Sequence, residues 1–375
     1  MTTTNDPLIS RALATALSRR AALAALGVGG AAILSAIQPT ATAARQRRRR
    51  AWTFSTVFGT PGTRGRDFDL PAAVYVPADD MTTVWVADTG NNRISVWSRP
   101  DVDSTAWLNV THFGSLGSGD SNFSNPVSVV LSADKLTAWI ADMTNHRVVI
   151  WNRPDPESRD WQYTAQFGSE GSGDGNFVMP AGVSLAPDEL TLWVADAFNH
   201  RISVWTRPTD TSTEWSPIAR FGSNGTGRRN FKFPTRVVVS ADTLTAWVSD
   251  SLNSRISIWS RQDAQSTTWT PLSRFGRSGR GPSQFRFPAD IKVSADTLTA
   301  WVVDQENQRI AIWTRADATS TEWSPHDHLR SIGRGEQGFG VLTSVALSAD
   351  EKLMWVADSN RSRISVWKAA AAPAR

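Results

Sequence analysis

All 18 tryptophans of this chain fall on three positions of one repeating unit. One series, Trp52, Trp107, Trp161, Trp215, Trp269 and Trp323, advances by 55, 54, 54, 54 and 54 residues. The other two are Trp85, Trp139, Trp193, Trp247, Trp301 and Trp355, and Trp97, Trp151, Trp205, Trp259, Trp313 and Trp367. A period of this length marks a supersecondary unit that buries its apolar surface only by stacking on neighbours. Six copies fill the chain after residue 50. The extra residue in the first has a visible origin, since Val76 to Trp85 takes nine steps where Leu131 to Trp139 takes eight.

The third copy shows the unit. Phe177 to Pro180 leads into the run Val183 to Leu185 and a turn at Ala186 to Asp188. Leu192 to Asp196, Asn199 to Arg201 and Ile202 to Trp205 follow. An Arg-Pro connector then precedes Trp215, and Phe221-Gly222 opens a Gly-rich loop. Short β-branched and aromatic runs between turn residues read as strands. Four antiparallel strands per copy, a to d, describe a propeller blade. Both faces of a blade pack on neighbours, so Trp and Val on both sides of a strand read as core. The chain is therefore expected to be all-β, a six-bladed β-propeller of four-stranded antiparallel blades. The first copy holds strand d alone (52–58) and the last stops after strand c at Trp367. The N-terminal strand is predicted to pair with Ile364 to Trp367, completing the last blade and removing open edges.

Residues 1–50 read as an address. Arg19 and Arg20 precede a 17-residue apolar run, Ala21 to Ile37, and the small residues Ala41 to Ala43. That order is the one of an export signal, and the Arg pair with its weakly apolar run resembles a twin-arginine signal. The expected division is a signal peptide at 1–43, helical or disordered, a basic disordered linker at 44–50 and the propeller at 51–375. Arg45 to Arg50 read either as a device steering the signal from the general secretory route, or a disordered stub, or as a basic tether to an anionic envelope surface. The apolar run sits at the lower edge of a membrane span, so a retained anchor stays open beside cleavage. With cleavage, no stable transmembrane domain is expected, and the mature protein is expected to be an exported monomer.

Composition narrows the chemistry. There is no Cys, which excludes disulfides, thiolate metal sites, Cys nucleophiles and a lipoprotein anchor. The formal charge of +4 is set by the leader: residues 1–50 hold eight Arg and one acid, and after residue 50 acids outnumber bases 34 to 31. Global charge therefore makes no case for nucleic acid.

The recurring Trp193-Val-Ala-Asp196, Asn199-His-Arg201 and Ile202-Ser-Val-Trp205 resemble the NHL repeat, and the likeness covers all six copies. Asn-His-Arg is literal at Asn145 to Arg147 and Asn199 to Arg201. The others read Asn91-Asn-Arg93, Asn253-Ser-Arg255, Asn307-Gln-Arg309 and Arg361-Ser-Arg363. The period exceeds the family's usual one because the connector between strands c and d is enlarged. The resemblance implies a propeller. It implies less about function, since NHL propellers serve as protein- or RNA-binding platforms, as sensor domains and in a few lyases.

Several residues are candidates for a site. An Asp at the end of strand b recurs six times (Asp88, Asp142, Asp196, Asp250, Asp304, Asp358), each with an Arg five residues on. A group repeated around a ring reads as turn structure, carboxylate against guanidinium. Individuality is expected on strand a, nearest the axis, at Ala73, Ser128, Gly182, Arg236, Asp290 and Ser344. Two readings stay open there. Arg236 and Asp290 form an ion pair closing the channel mouth, or Arg236 and Lys292 hold an anion that Asp290 orients. The loops entering blades four to six are basic: Arg228, Arg229 and Lys232; Arg277, Arg280 and Arg286; Arg330 and Arg334. These are either scattered solvated arginines or a footprint for an anionic glycan, peptide or nucleic acid. Beyond the structural Phe, the loops lack aromatics for stacking bases, so no nucleic acid is expected. No cofactor is expected, because the Gly-rich loops match neither a P-loop nor a dinucleotide fingerprint. The Gly-rich run 171–176 reads as turn chemistry, not a Ca²⁺ loop. No metal site is expected; His326 and His328 form a weak candidate pair. His146 and His200 occupy the repeat's turn position.

The expected function is an exported, non-enzymatic propeller that binds an unknown protein, peptide or anionic glycan at its channel mouth, or acts as a scaffold. No catalytic residue is assigned. A propeller-type lyase or lactone hydrolase is the alternative, and needs a metal cluster or a His/Tyr/Arg set in the channel. A nucleic-acid or ubiquitin-ligase role is a second; the ligase needs a zinc-binding Cys/His module that a Cys-free chain cannot build.

Overall fold

Each unit forms one sheet because its four strands are short, the inner three apolar and the outer one half exposed, and are separated by turns that cannot continue them. The computed structural model describes residues 52–330 and 335–370. The expected export signal (1–43), the expected basic linker (44–50) and Arg334 lie outside the described residues. Blade I comprises Pro71–Tyr75, Thr83–Asp88, Arg93–Ser98 and Leu108–Phe113, and blade II Pro126–Leu131, Thr137–Asp142, Arg147–Asn152 and Gln162–Phe167. Blade III comprises Pro180–Leu185, Thr191–Asp196, Arg201–Thr206 and Ser216–Phe221, and blade IV Pro234–Val239, Thr245–Asp250, Arg255–Ser260 and Thr270–Phe275. Blade V holds Pro288–Val293, Thr299–Asp304, Arg309–Thr314 and Ser324–Arg330. Blade VI takes Leu342–Leu347, Leu353–Asp358 and Arg363–Ala369 from the end of the chain and Trp52–Phe58 from its start.

Sheet order follows the chain from the innermost strand a to the outermost strand d. The innermost strands of successive blades adjoin, and Leu347's strand returns to Pro71's, so the ring closes. Five of these inner strands open on proline, which an edge strand tolerates because its first N–H has no ladder partner. The predicted clasp is present: Trp52 pairs with Ala369, Phe54 with Trp367 and Phe58 with Ile364, all antiparallel. Its bulge between Phe54 and Thr56 matches the one that every other outer pair carries before its Trp, as at Val204 and Trp205.

Aromatic residues bind blade to blade. Phe58 stacks on Trp107 of the next blade at 4.8 Å, and Phe221 on Trp269 at 4.9 Å. Connector arginines cover these rings, Arg207 lying 5.1 Å from Trp139 and 5.4 Å from Trp215. A guanidinium over two indole faces adds electrostatic attraction to the packing. Gly222 in the Phe-Gly motif has φ +87°, and a Cβ there would fall 2.2 Å from the Phe231 ring. Any larger residue would displace that ring.

The recurrent Asp and Arg staple the loop before strand a to the turn between strands b and c. In blade III, Arg201 Nε donates to Asp196 Oδ2 at 2.8 Å, and its Nη groups donate to the carbonyls of Ser172, Gly173 and Asn176. Asn199 donates to Asp196 and to the Gly171 carbonyl, and the Val178 amide donates to Asp196 Oδ1. Burial pushes the Asp196 carboxyl up, while the Val178 amide, Asn199 and Arg201 pull it back. His200 closes the same turn with φ 55° and accepts the Phe233 amide of the following loop on Nδ1. In blade VI, Arg361 stands where the other copies have Asn, and reaches the Gly335 and Gly338 carbonyls.

Candidate functional site

Strand register places two levels of side chains around the axis. Ala73, Ser128, Gly182, Arg236, Asp290 and Ser344 all pair with the residue just before the strand-b Asp, as Ser128 does with Ala141. Two residues on, Tyr75, Val130, Ser184, Val238, Lys292 and Ala346 each pair with a strand-b Trp. Side chains two apart on a strand share a face, so both levels face the channel.

The first level is closed by one hydrogen-bonded network. Arg236 of blade IV donates from Nε to Asp290 Oδ1 of blade V at 2.9 Å. Its Nη1 crosses blade III to Ser128 Oγ of blade II at 2.5 Å. Asp290 Oδ2 accepts from Ser344 Oγ at 2.8 Å and from the Val345 amide at 3.0 Å, and Oδ1 accepts the Ile291 amide at 2.8 Å. Ser344 Oγ takes the Val74 amide of blade I, and Ser128 Oγ the Val183 amide of blade III, both at 3.3 Å. The network thus touches every blade. Gly182 makes room for it, since a Cβ there would lie 2.7 Å from the Thr235 carbonyl oxygen and 3.2 Å from Arg236 Cα. Arg236 is 8 % exposed and Asp290 0 %. Of the two readings open from sequence, this geometry is that of the closing ion pair: both groups already have partners.

Beyond this partition, toward the turns that join strands a and b, lies a cavity of about 550 Å³. Arg236 forms its floor. Tyr75, Ser184 and Lys292 contribute polar groups, and Val130, Leu185 and Val238 an aliphatic wall. Burial lowers the Lys292 ammonium from its ordinary value, Asp290 opposes this and Arg236 adds to it. Among the described residues, Lys292 has no hydrogen-bond or ion-pair partner. Burial pushes the Tyr75 phenol up to about 12. The acids at the rim are matched. Asp79 pairs with Lys135 at 3.0 Å, and Glu189 accepts the Ala133 amide and lies 3.7 Å from Arg207.

The grouping of Lys292 with the loop arginines needs correction. Strand a begins at the loop that follows strand d and ends at the turn into strand b. Two further residues therefore carry Lys292 through the partition, to the opening opposite those loops. Arg228, Arg229, Arg277 and Arg280 stay exposed on the far side, Arg228 donating to the Leu272 carbonyl at 3.2 Å. None of them lines the cavity with Arg236 and Lys292. His326 and His328 lie on the outermost strand of blade V, and among the described residues no group of three His, Asp or Glu side chains is placed to hold a metal ion. Sequence reasoning passed over Tyr75 and Ser184, which the same register two positions on would have revealed. It also passed over Phe198, 48 % exposed and edge-on to Phe233 at 5.2 Å, so the loop side does carry paired aromatics.

No family model matches the chain. It is similar to the human NHL repeat-containing protein 3, 31 % identical over 163 residues that cover 40 % of this chain and 41 % of the relative. The match thus spans about two fifths of the relative's length. Among solved structures it is similar to a protein from Lactobacillus plantarum, with 15 % identity, TM-score 0.57 and coverage of 83 % of this chain and 91 % of that one. The periplasmic gluconolactonase of Pseudomonas aeruginosa matches at 15 % identity and TM-score 0.54, over 80 % and 81 %. At such identities the likeness concerns the fold alone. Six four-stranded blades, each held by the same Asp and Arg staple, establish the fold: the chain is a six-bladed β-propeller, similar over part of its length to an NHL repeat-containing protein.

Proposed function

We propose that this propeller is an exported binding module of the cell envelope, monomeric, holding a ligand or partner at its channel and catalysing no reaction. One observation carries the reading. The charged groups nearest the axis, Arg236 and Asp290, are engaged with each other, with Ser128 and Ser344 and with backbone amides. Those groups hold the ring together, and next to them a cavity keeps a single unmatched charge, Lys292. A hydrolytic site converges a base, an acid and oxyanion donors on one point. A recess with one cation and aliphatic walls suits recognition better. Export is supported by the order of Arg19, Arg20, the apolar run and Ala43.

Lactone hydrolysis is a second reading, favoured by the lowered ammonium of Lys292 lining the same cavity as the Tyr75 hydroxyl, a base and a proton donor in one recess. Purified protein tested on a lactone panel and on glycan and peptide arrays separates the two. The binding reading expects array binding and no turnover above buffer. Lactone turnover that disappears in Lys292→Met overturns it. Replacing Arg19 and Arg20 by Lys is expected to leave full-length protein in the cytoplasm; unchanged export would remove the envelope assignment.

A further inference from the structure

The cavity level alternates in chemistry around the ring. Of the residues at this level that line the cavity, Tyr75, Ser184 and Lys292 stand on blades I, III and V, and Val130 and Val238 on blades II and IV, while Ala346 of blade VI is packed in the core. Polar groups at every second blade, separated by aliphatic ones, suit an amphiphile better than a sugar with hydroxyls on all sides. The charge balance is equally selective. Arg236 is matched by Asp290, Lys135 by Asp79 and Arg207 by Glu189, which leaves the Lys292 ammonium without a counter-ion among the described residues. A half-buried ammonium without a partner is free to meet an anion through a charge-assisted hydrogen bond.

We infer that this cavity is a site for a small aliphatic monocarboxylate, its carboxylate met by Lys292 and Ser184 and its hydrocarbon body laid on Val130, Leu185 and Val238. This rests on the binding-module reading and names the ligand class. A single negative charge balances Lys292. A phosphate dianion would add surplus charge close to Asp290 below and to Asp79 and Glu189 at the rim. The Arg236–Asp290 partition seals the channel beneath, so the ligand enters from the side of the turns between strands a and b, away from Arg228 and Arg229. Tyr75, held neutral by burial, offers a hydroxyl and no competing charge.

Isothermal titration of the intact propeller with hexanoate, hexanol, hexylamine and inorganic phosphate tests this. Hexanoate is expected to bind one to one, more tightly than hexanol, with hexylamine and phosphate giving no saturable heat. Lys292→Met is expected to weaken hexanoate at least tenfold, Lys292→Arg less, and the exposed Lys352→Met not at all. Should Lys292→Met not fold, wild type titrated across alkaline pH replaces it: hexanoate weakens as Lys292 loses its proton, while hexanol does not change. Equal affinity for hexanoate and hexanol, indifference to Lys292→Met, or absence of hexanoate binding overturns the carboxylate assignment. In each of these cases the binding-module reading survives unless lactone turnover appears.

Discussion

Arg236 Nε stands 2.9 Å from Asp290 Oδ1 while the same guanidinium reaches Ser128 Oγ two blades away. One side chain therefore ties blades II, IV and V, and through Asp290 and Ser344 the pair also engages blades VI and I. Taking two charges out of water is costly, and the cost is offset only where the remaining lone pairs and protons find partners. Asp290 accepts four hydrogen bonds, which meets that condition. Such a network fixes how the blades meet more than it adds to net stability.

Removing one partner strands the other. Arg236→Met is expected to destabilise the fold by about 3–5 kcal/mol, because Asp290 stays buried without its cation. Adding Asp290→Leu should recover much of that loss. Urea denaturation of the single and double variants measures the coupling, and independent, additive effects would refute it.

Gly182 is placed by a neighbour's backbone. Gly182→Ala sets a Cβ 2.7 Å from the Thr235 carbonyl oxygen, which cannot swing aside as a side chain can. The expected loss is about 1–3 kcal/mol. Since the clash is with backbone, combining it with Arg236→Met should not relieve it, again read from urea midpoints.

Burial holds the Lys292 ammonium below the lysine value of 10.5, so the folded state binds fewer protons than the unfolded one between the two values. Stability attributable to this residue therefore rises with pH across that window. Lys292→Met is expected to be more stable than wild type at pH 7, with the gap narrowing toward pH 10. A gap that stays constant with pH, measured by urea unfolding at fixed salt, would contradict this.

Tyr75 works in the opposite direction. Its phenol is raised from 10.0 to about 12, so the folded state keeps a proton that the unfolded state releases. The stability it contributes is complete below pH 10 and lost as pH rises toward 12. Absorbance at the tyrosinate band should show a late step that Tyr75→Phe removes.

The clasp rests on Phe58, which stacks on Trp107 at 4.8 Å and is 7 % exposed. Phe58→Ala is expected to cost about 3–5 kcal/mol by opening a cavity between the closing strand and blade I. Thermal unfolding should then begin in the outer strands of blade VI, seen as early loss of amide protection at residues 363–369.

Much of this was legible beforehand because repeats convert sequence spacing into geometry. Six equivalent tryptophans imply six equivalent sheets, and a lone strand d at the start with a missing one at the end implies the clasp. The recurring Asp and Arg likewise announced a turn staple, since a group present in every blade serves every blade. The site was less legible. Arg236, Asp290 and Lys292 stood out by their charge on an otherwise small, neutral ring, yet Tyr75 and Ser184 did not, because neither type is unusual on a strand.

Read alone, the chain determined its architecture: local alternation forms the strands, the 54-residue period counts the blades, and the position of the unpaired strand closes the ring. What the tertiary structure decided was on which side of the channel each charge lies and whether it is matched. Those outcomes depend on contacts between residues 54 or 108 positions apart, as Arg236 is from Asp290 and Ser128. Periodicity says that such residues share a level; it cannot say how far a guanidinium reaches across the axis. That reach closes the channel under Lys292 and leaves its ammonium facing a separate cavity.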